Sequence, residues 1–192
     1  VDVDVQVPDG RVVGTLSWIH GRRLVRVEFS RLAPKHRLRA WVQLLALTVA
    51  EPGQEWTAVT IGRGQYTGIA VARLGPVAPD HARAVLADLV ELAAMGRCTP
   101  LPLPTFAGCT YAKVRHAGGE PYDALEEAKR AWSAGAGAEQ SDPAHRRVWG
   151  EDADAEAVFA EPGPPGGEPT LFGTLARRLW EPLLRAEDLV RR

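Results

Sequence analysis

A chain of 192 residues that is 45% hydrophobic and 24% charged can build a sizeable core and has the composition of an ordinary water-soluble globular protein. Its formal net charge of -1 supplies no overall attraction to nucleic acid or lipid, and no apolar run approaches the ~20 residues that span a bilayer. Two cysteines, Cys98 and Cys109, make no disulfide framework, so a reducing cytoplasm is expected. The first residues, Val1-Asp2-Val3-Asp4, lack the positive start and apolar block of a signal peptide. Without an initiator Met, and opening directly in a strand pattern, the sequence reads as a piece of a longer protein.

Residues 1–7 alternate valine with polar side chains, the period of a half-buried strand. Pro8-Asp9-Gly10 is a turn, residues 11–19 form a second strand, His20-Gly21 turns again, and residues 22–30 form a third. Short turns between three strands predict an antiparallel meander. Leu38, Trp41, Val42, Leu45 and Val49 recur at helical spacing over residues 35–50, and Pro52-Gly53 ends that helix. Two strands are expected at 55–62 and 66–73, around Arg63-Gly64. A second helix opens at Pro79-Asp80, shows an apolar face of Val85, Leu86, Leu89 and Leu92, and is expected to close at Gly96. Leu101-Pro102-Leu103-Pro104 must be extended.

Helices are expected at 105–116 and 121–134, separated by Gly118-Gly119, followed by a flexible Gly/Ala-rich piece from Ser133 to Ala138. Asp142-Pro143 starts a short helix ending near Trp149, residues 150–169 read as an acidic and then Pro/Gly-rich mobile loop, and Leu171–Leu184 form a closing helix interrupted at Pro182. The fold class is therefore α/β of the α+β kind: residues 1–104 a strand meander followed by helix-strand-strand-helix, residues 105–192 a mostly helical extension. Charge is uneven. Residues 11–40 carry eight bases against the single acid Glu28, and residues 118–168 carry twelve acids against four bases.

The chemistry-bearing candidates lie in the basic front. In a strand, residues i and i+2 share a face, so Arg26, Glu28 and Ser30 are expected together, with Ser17 on the neighbouring strand. A metal-dependent phosphodiesterase needs several hard oxygen ligands and a cation there. Glu28 could ligate, but Ser17 is a weak neutral ligand and Ser30 carries no charge; the residues predict Glu28 paired with Arg26 and no metal or other cofactor. Arg22, Arg23, Arg37 and Arg39 could meet phosphates. Cys98, Cys109 and His116 are too irregularly spaced for zinc. Trp41, Trp132 and Trp180 read as core, while Trp18 and Trp149 could anchor an interface.

Gly14-Thr15-Leu16-Ser17 and Glu28-Phe29-Ser30 resemble the two strand motifs of the PD-(D/E)xK nucleases in their RecB-like branch, with a carboxylate and a lysine replaced by hydroxyls. The chain also resembles the C-terminal region of the bacterial RecC family. Leu38-Arg39-Ala40-Trp41-Val42, Leu101-Pro102-Leu103-Pro104, Asp142-Pro143 with Arg146 and Trp149, and Leu171-Phe172 through Trp180-Glu181-Pro182 carry that likeness. The resemblance implies a restriction-endonuclease-like core without catalysis, in a helicase–nuclease with RecB-like and RecD-like subunits. It also implies guidance of single-stranded DNA and duplex ends in double-strand break repair. Two competing readings are a divergent active nuclease whose site is formed by Glu28, Asp4 or Asp9 and a migrated arginine, and a protein-only module whose arginine-rich front meets an acidic partner.

Overall fold

A computed structural model describes residues 1–64, 67–134, 138–151 and 153–191. The chain divides into two compact units: Val1–Met95 with Arg185–Arg192, and Gly96–Leu184.

The first unit is a mixed α/β fold with two sheets. Strands β1 (Asp2–Val7) and β2 (Gly10–Thr15) form an antiparallel hairpin of their own. The alternation of β1 translates directly into structure, because Val3, Val5 and Val7 are buried while Asp2, Asp4 and Gln6 face water. The second sheet has the order β3 (Ile19–His20), β4 (Arg23–Arg31), β5 (Thr57–Arg63), β6 (Ile69–Leu74), β7 (Glu187–Arg191). Strands β4 and β5 are parallel, and the other pairs are antiparallel. A parallel pair needs a crossover, and helix α1 (Pro34–Ala50) supplies it.

Helix α1 packs against β1 as well as against β4, β5 and β6. That explains its burial on more than one side, where Ala40, Leu44, Ala46 and Leu47 join the expected Trp41, Leu45 and Val49. Helix α2 (Pro79–Cys98) opens as expected but runs through Gly96 rather than closing there, since a glycine weakens a helix without ending it.

The three-strand meander is corrected. Residues 11–19 do not make one strand: β2 stops at Thr15, and Leu16, Ser17 and Trp18 lie outside any strand. Leu16 is buried with its N–H donated to the Val1 carbonyl at 2.8 Å, and Trp18 takes a positive φ of 65°. This backbone break carries the chain from one sheet to the other. The turn joining β3 to β4 is Gly21-Arg22, with Gly21 at φ 60° where an L side chain would be strained. Residue 66, the expected start of a strand, and residues 135–137 of the Gly/Ala-rich piece lie outside the described residues.

The second unit is helical: α3 (Thr105–His116), α4 (Pro121–Ser133), a 3-10 turn (Glu139–Ser141), α5 (Pro143–Trp149), α6 (Ala155–Phe159) and α7 (Leu171–Ala186, its last two residues in the first unit). Ala107, Ala124, Ala128 and Ala131 keep its core shallow enough for a row of rings. Phe159 stacks on Phe172 at 3.9 Å, while Tyr111 meets Phe172 and Trp132 meets Phe159 edge-on, at 5.3 and 6.0 Å. A Cβ on Gly173 would stand 2.6 Å from the Tyr111 hydroxyl, so this position needs glycine. The Glu139 carboxylate accepts from the Phe106 and Ala107 amides at 2.7 and 2.8 Å, capping the first turn of α3.

Two expectations fail in this unit. The stretch read as a mobile loop contains α6, capped by Asp154 and anchored by buried Val158 and Phe159. Helix α7 continues past Pro182 to Ala186; the buried side chains of Trp180 and Leu183 hold the segment on either side of the missing donor.

Candidate functional site

The expected centre is the C-terminal half of β4, and its geometry follows from one irregularity. Val27 pairs with Ile61 and Arg31 with Arg63, so Glu28, Phe29 and Ser30 stand opposite Gly62 alone. A bulge of this kind breaks the two-residue alternation. Arg26 and Glu28 keep the face that looks toward α1, whereas Phe29 is 94% exposed and Ser30 is exposed, its hydroxyl donating to the Arg31 carbonyl at 3.4 Å. Ser30 thus stands exposed within the irregular end of β4, and no hydrogen bond or ion pair among the described residues joins it to Glu28. The expectation of Ser17 on the neighbouring strand is corrected, because it lies exposed outside any strand. Extending the Ile19–Leu24 register would place it opposite Arg26, but strand pairing ends at Ile19.

Glu28 itself is 19% exposed and has two basic neighbours, the Arg26 Nε at 3.7 Å and the His36 Nε2 at 3.9 Å. The predicted Arg26 partner is present. Arg26 also donates to the Gln43 Oε1 at 3.4 Å, which ties this face of β4 to α1. His36 is a neighbour that strand spacing does not predict. Its Nδ1 accepts the Ala33 amide at 3.2 Å in the first turn of α1, which leaves the proton of the neutral ring on Nε2, toward Glu28. Asp4 does not join this group, for it forms a two-pronged pair with Arg11 at 2.7 and 2.5 Å on the β1–β2 hairpin, and that hydrogen-bonded guanidinium holds its carboxyl below the usual range. Asp9 lies exposed in the hairpin turn. Among the described residues no three His, Cys, Asp or Glu side chains gather as a metal ion would need.

Burial pushes the His36 imidazole down, as do Lys35, Arg39 and Arg26, while Glu28 pulls it up; the net direction is downward. Because the folded value lies below the unfolded one, the unfolded chain takes up a proton first. Stability is therefore lost as pH falls below the unfolded imidazole value. In an NMR titration His36 is expected to titrate below an ordinary histidine, and Glu28→Gln is expected to lower it further by removing the carboxylate. An upward shift in that variant would show that Glu28 does not act on the ring.

The four arginines read as phosphate contacts separate. Arg22 and Arg23 are exposed at the β3–β4 turn, and Arg39 is exposed on α1. Arg37 is only 1% exposed; its Nε donates to the Glu187 Oε1 at 2.5 Å and its Nη2 pairs with Oε2. A buried guanidinium engaged on both prongs has no face for a phosphate, so Arg37 is not placed to meet one. Its position four residues before Trp41 and seven before Leu44, on the buried face of α1, was the available signal. Trp18 is 68% exposed, whereas Trp41, Trp132 and Trp180 are core and Trp149 packs against the second unit's core.

The RecC C-terminal domain model matches residues 1–116. The chain is 43% identical over 193 residues to the protein named RecBCD enzyme subunit RecC in two strains of Mycobacterium tuberculosis, covering 98% of this chain and 17% of that protein. It is 42% identical over 196 residues to the protein of the same name in Mycolicibacterium smegmatis, covering 99% of this chain and 18% of that one. The chain thus spans less than a fifth of the length of these curated relatives. It belongs to the RecC C-terminal domain family.

Proposed function

We propose that this chain is the non-catalytic C-terminal part of a RecC-like subunit of a cytoplasmic RecBCD-type helicase–nuclease. In that role it scaffolds RecB-like and RecD-like subunits and guides DNA strands at broken ends during homologous recombination. The observation that carries the reading is the state of Glu28: its carboxylate faces Arg26 and His36, and the positions expected to complete a metal centre, Ser17 and Ser30, are exposed hydroxyls. The crossover from β4 through α1 to β5 suits a restriction-endonuclease-like core that has lost its chemistry. Removing one preorganised electrostatic group costs about 10²–10³ in rate, so the absence of two leaves hydrolysis near background. Arg22, Arg23 and Arg39 remain the surface cations for DNA backbone.

The test is cleavage and binding on the same preparation. No degradation of duplex or single-stranded DNA is expected with Mg²⁺ or Mn²⁺; cleavage abolished by Glu28→Ala would make the domain a divergent nuclease instead. Binding to DNA is expected to weaken with salt, and the triple variant Arg22→Ala/Arg23→Ala/Arg39→Ala is expected to flatten the log–log slope by about 0.9 for each phosphate that is no longer neutralised. An unchanged slope would remove these arginines from the interface.

A further inference from the structure

The outer edge of β4 is where the first unit is least finished. Strand β3 covers only Leu24 and Arg23, and one more bond runs from the Val25 N–H to the Trp18 carbonyl. Beyond that bond, no strand among the described residues pairs with this edge of β4. The edge is flanked by a groove of about 540 Å³ lined by Trp18, His20, Val25, Arg26, Val27 and Phe29. Large apolar side chains rarely stand in water beside unpaired strand edges unless something pairs there; here Trp18, Val27 and Phe29 all do. We propose that the Arg26–Phe29 edge of β4 receives an extended, acidic segment of a partner protein as an added strand, its alternate apolar side chains filling the Trp18–Phe29 groove.

Three observations select this occupant. Strand addition takes main-chain hydrogen bonds from the edge and specificity from pockets for every second side chain. The Val25 N–H already points outward to Trp18, and the two-residue period sets Val27 outward in the same way. The bulge at 28–30 ends the regular edge and so limits the register to a few residues. The charge around the groove is one-sided: Arg22, Arg23 and Arg31 are exposed and make no ion pair among the described residues, while Glu28, the one acid of β4, is already occupied. A second copy docking edge to edge would set these arginines against their own equivalents, which opposes self-pairing. A nucleic acid would meet the same cations but offers neither amides nor carbonyls in strand register, and it leaves the apolar lining unfilled.

The added strand rests on the scaffold reading and would share Arg22 and Arg23 with the DNA backbone proposed above, so the two ligands would compete for those cations, yet the two readings fail separately. Metal-dependent cleavage overturns the scaffold reading without touching the groove, and an empty groove leaves the scaffold free to dock elsewhere. The probe is a ten-residue peptide of alternating valine and glutamate, titrated into the full chain with amide hydrogen exchange and affinity as readouts. Expected are slowed exchange at Val27, affinity about tenfold or more weaker in Phe29→Ala, and a reversed preference for a valine–lysine peptide in Arg22→Glu/Arg23→Glu/Arg31→Glu. These side chains are exposed, so the variants keep their fold, which circular dichroism checks. Unchanged Val27 exchange, or equal affinity in Phe29→Ala, overturns the proposal. So does displacement of the peptide by an oligodeoxynucleotide that protects the same amide, or protection that grows with protein concentration alone, which would mark a second copy.

Discussion

Glu187→Ala is expected to destabilise the first unit by about 3–5 kcal/mol, the cost of removing the carboxylate from a buried, two-pronged ion pair. The Arg37 and Glu187 side chains are only 2% and 4% exposed, so water cannot replace the lost carboxylate. The pair joins α1 to the first residue of β7, where Glu187 lies opposite Leu74 of β6 and the Gly75 amide donates to the Ala186 carbonyl at 3.1 Å. Loss of the carboxylate therefore releases the last strand as well as the charge. Chemical denaturation of the variant is expected to show a lower midpoint, with early loss of amide protection along β7. The double variant Arg37→Met/Glu187→Leu separates charge from packing. Replacing both partners by apolar groups of similar volume is often neutral or stabilising, so it is expected to recover most of the loss. If the double variant is as unstable as Glu187→Ala, the pair holds the fold through geometry that apolar packing does not reproduce.

The same pair shows why β7 was not legible. A strand of five residues, Glu187-Asp188-Leu189-Val190-Arg191, has no clean alternation when an inward position is a glutamate. That glutamate is tolerable only because an arginine 150 positions earlier in the chain meets it. Non-local compensation leaves no periodicity in a short window. Where the determinants are local, the reading holds: the valine–polar alternation of β1, the apolar spacing of α1 and the Asp142-Pro143 start of α5 all form as expected. Asp142 accepts the Ala144 amide, as an N-cap should.

The candidate site divides along the same line. The Arg26–Glu28 pair could be read from two-residue spacing because the two side chains share one strand and one face as far as the first residue of the irregularity. The break at Leu16–Trp18 that takes Ser17 out of the ladder is set by the junction between two sheets, and the bulge over Glu28–Ser30 by the pairing of β4 with β5. Trp18 at positive φ is a conformation that its residue type disfavours, so no propensity predicts it. His36 reaches Glu28 because it also closes the first turn of α1, a role more often filled by Glu or Gln three residues past the cap.

In the second unit the largest single effect is expected at Glu168. Its carboxylate accepts the Tyr111 hydroxyl at 2.5 Å, the Arg115 Nε at 3.1 Å and the Arg177 Nη1 at 2.6 Å. Three elements converge on it: α3 carries Tyr111 and Arg115, α7 carries Arg177, and Glu168 itself comes from the segment before α7. Glu168→Ala leaves a buried phenol without an acceptor and Arg115 without its counter-charge. Arg177 is partly exposed and retains Glu181 at 2.9 Å, so water and that neighbour offset its share. A loss of about 3 kcal/mol follows. Burial pushes the Glu168 carboxyl up, but the hydrogen bonds from Tyr111, Arg177 and Arg115 outweigh it and hold the folded value below the usual range. The sign is then fixed. The contribution is fully present above the unfolded carboxyl value and disappears as pH falls through the lower folded value. The Tyr111 phenol is pushed up by burial and by the carboxylate it bonds, so it stays protonated and donating throughout that window. Glu168→Gln, which mimics the protonated acid in shape, is expected to be clearly less stable than the natural chain at pH 7. The two are expected to converge as the pH is taken below the folded carboxyl value. Denaturation curves at several pH values read this directly. A gap that stays constant across that range would mean that the carboxylate contributes through packing rather than through its charge.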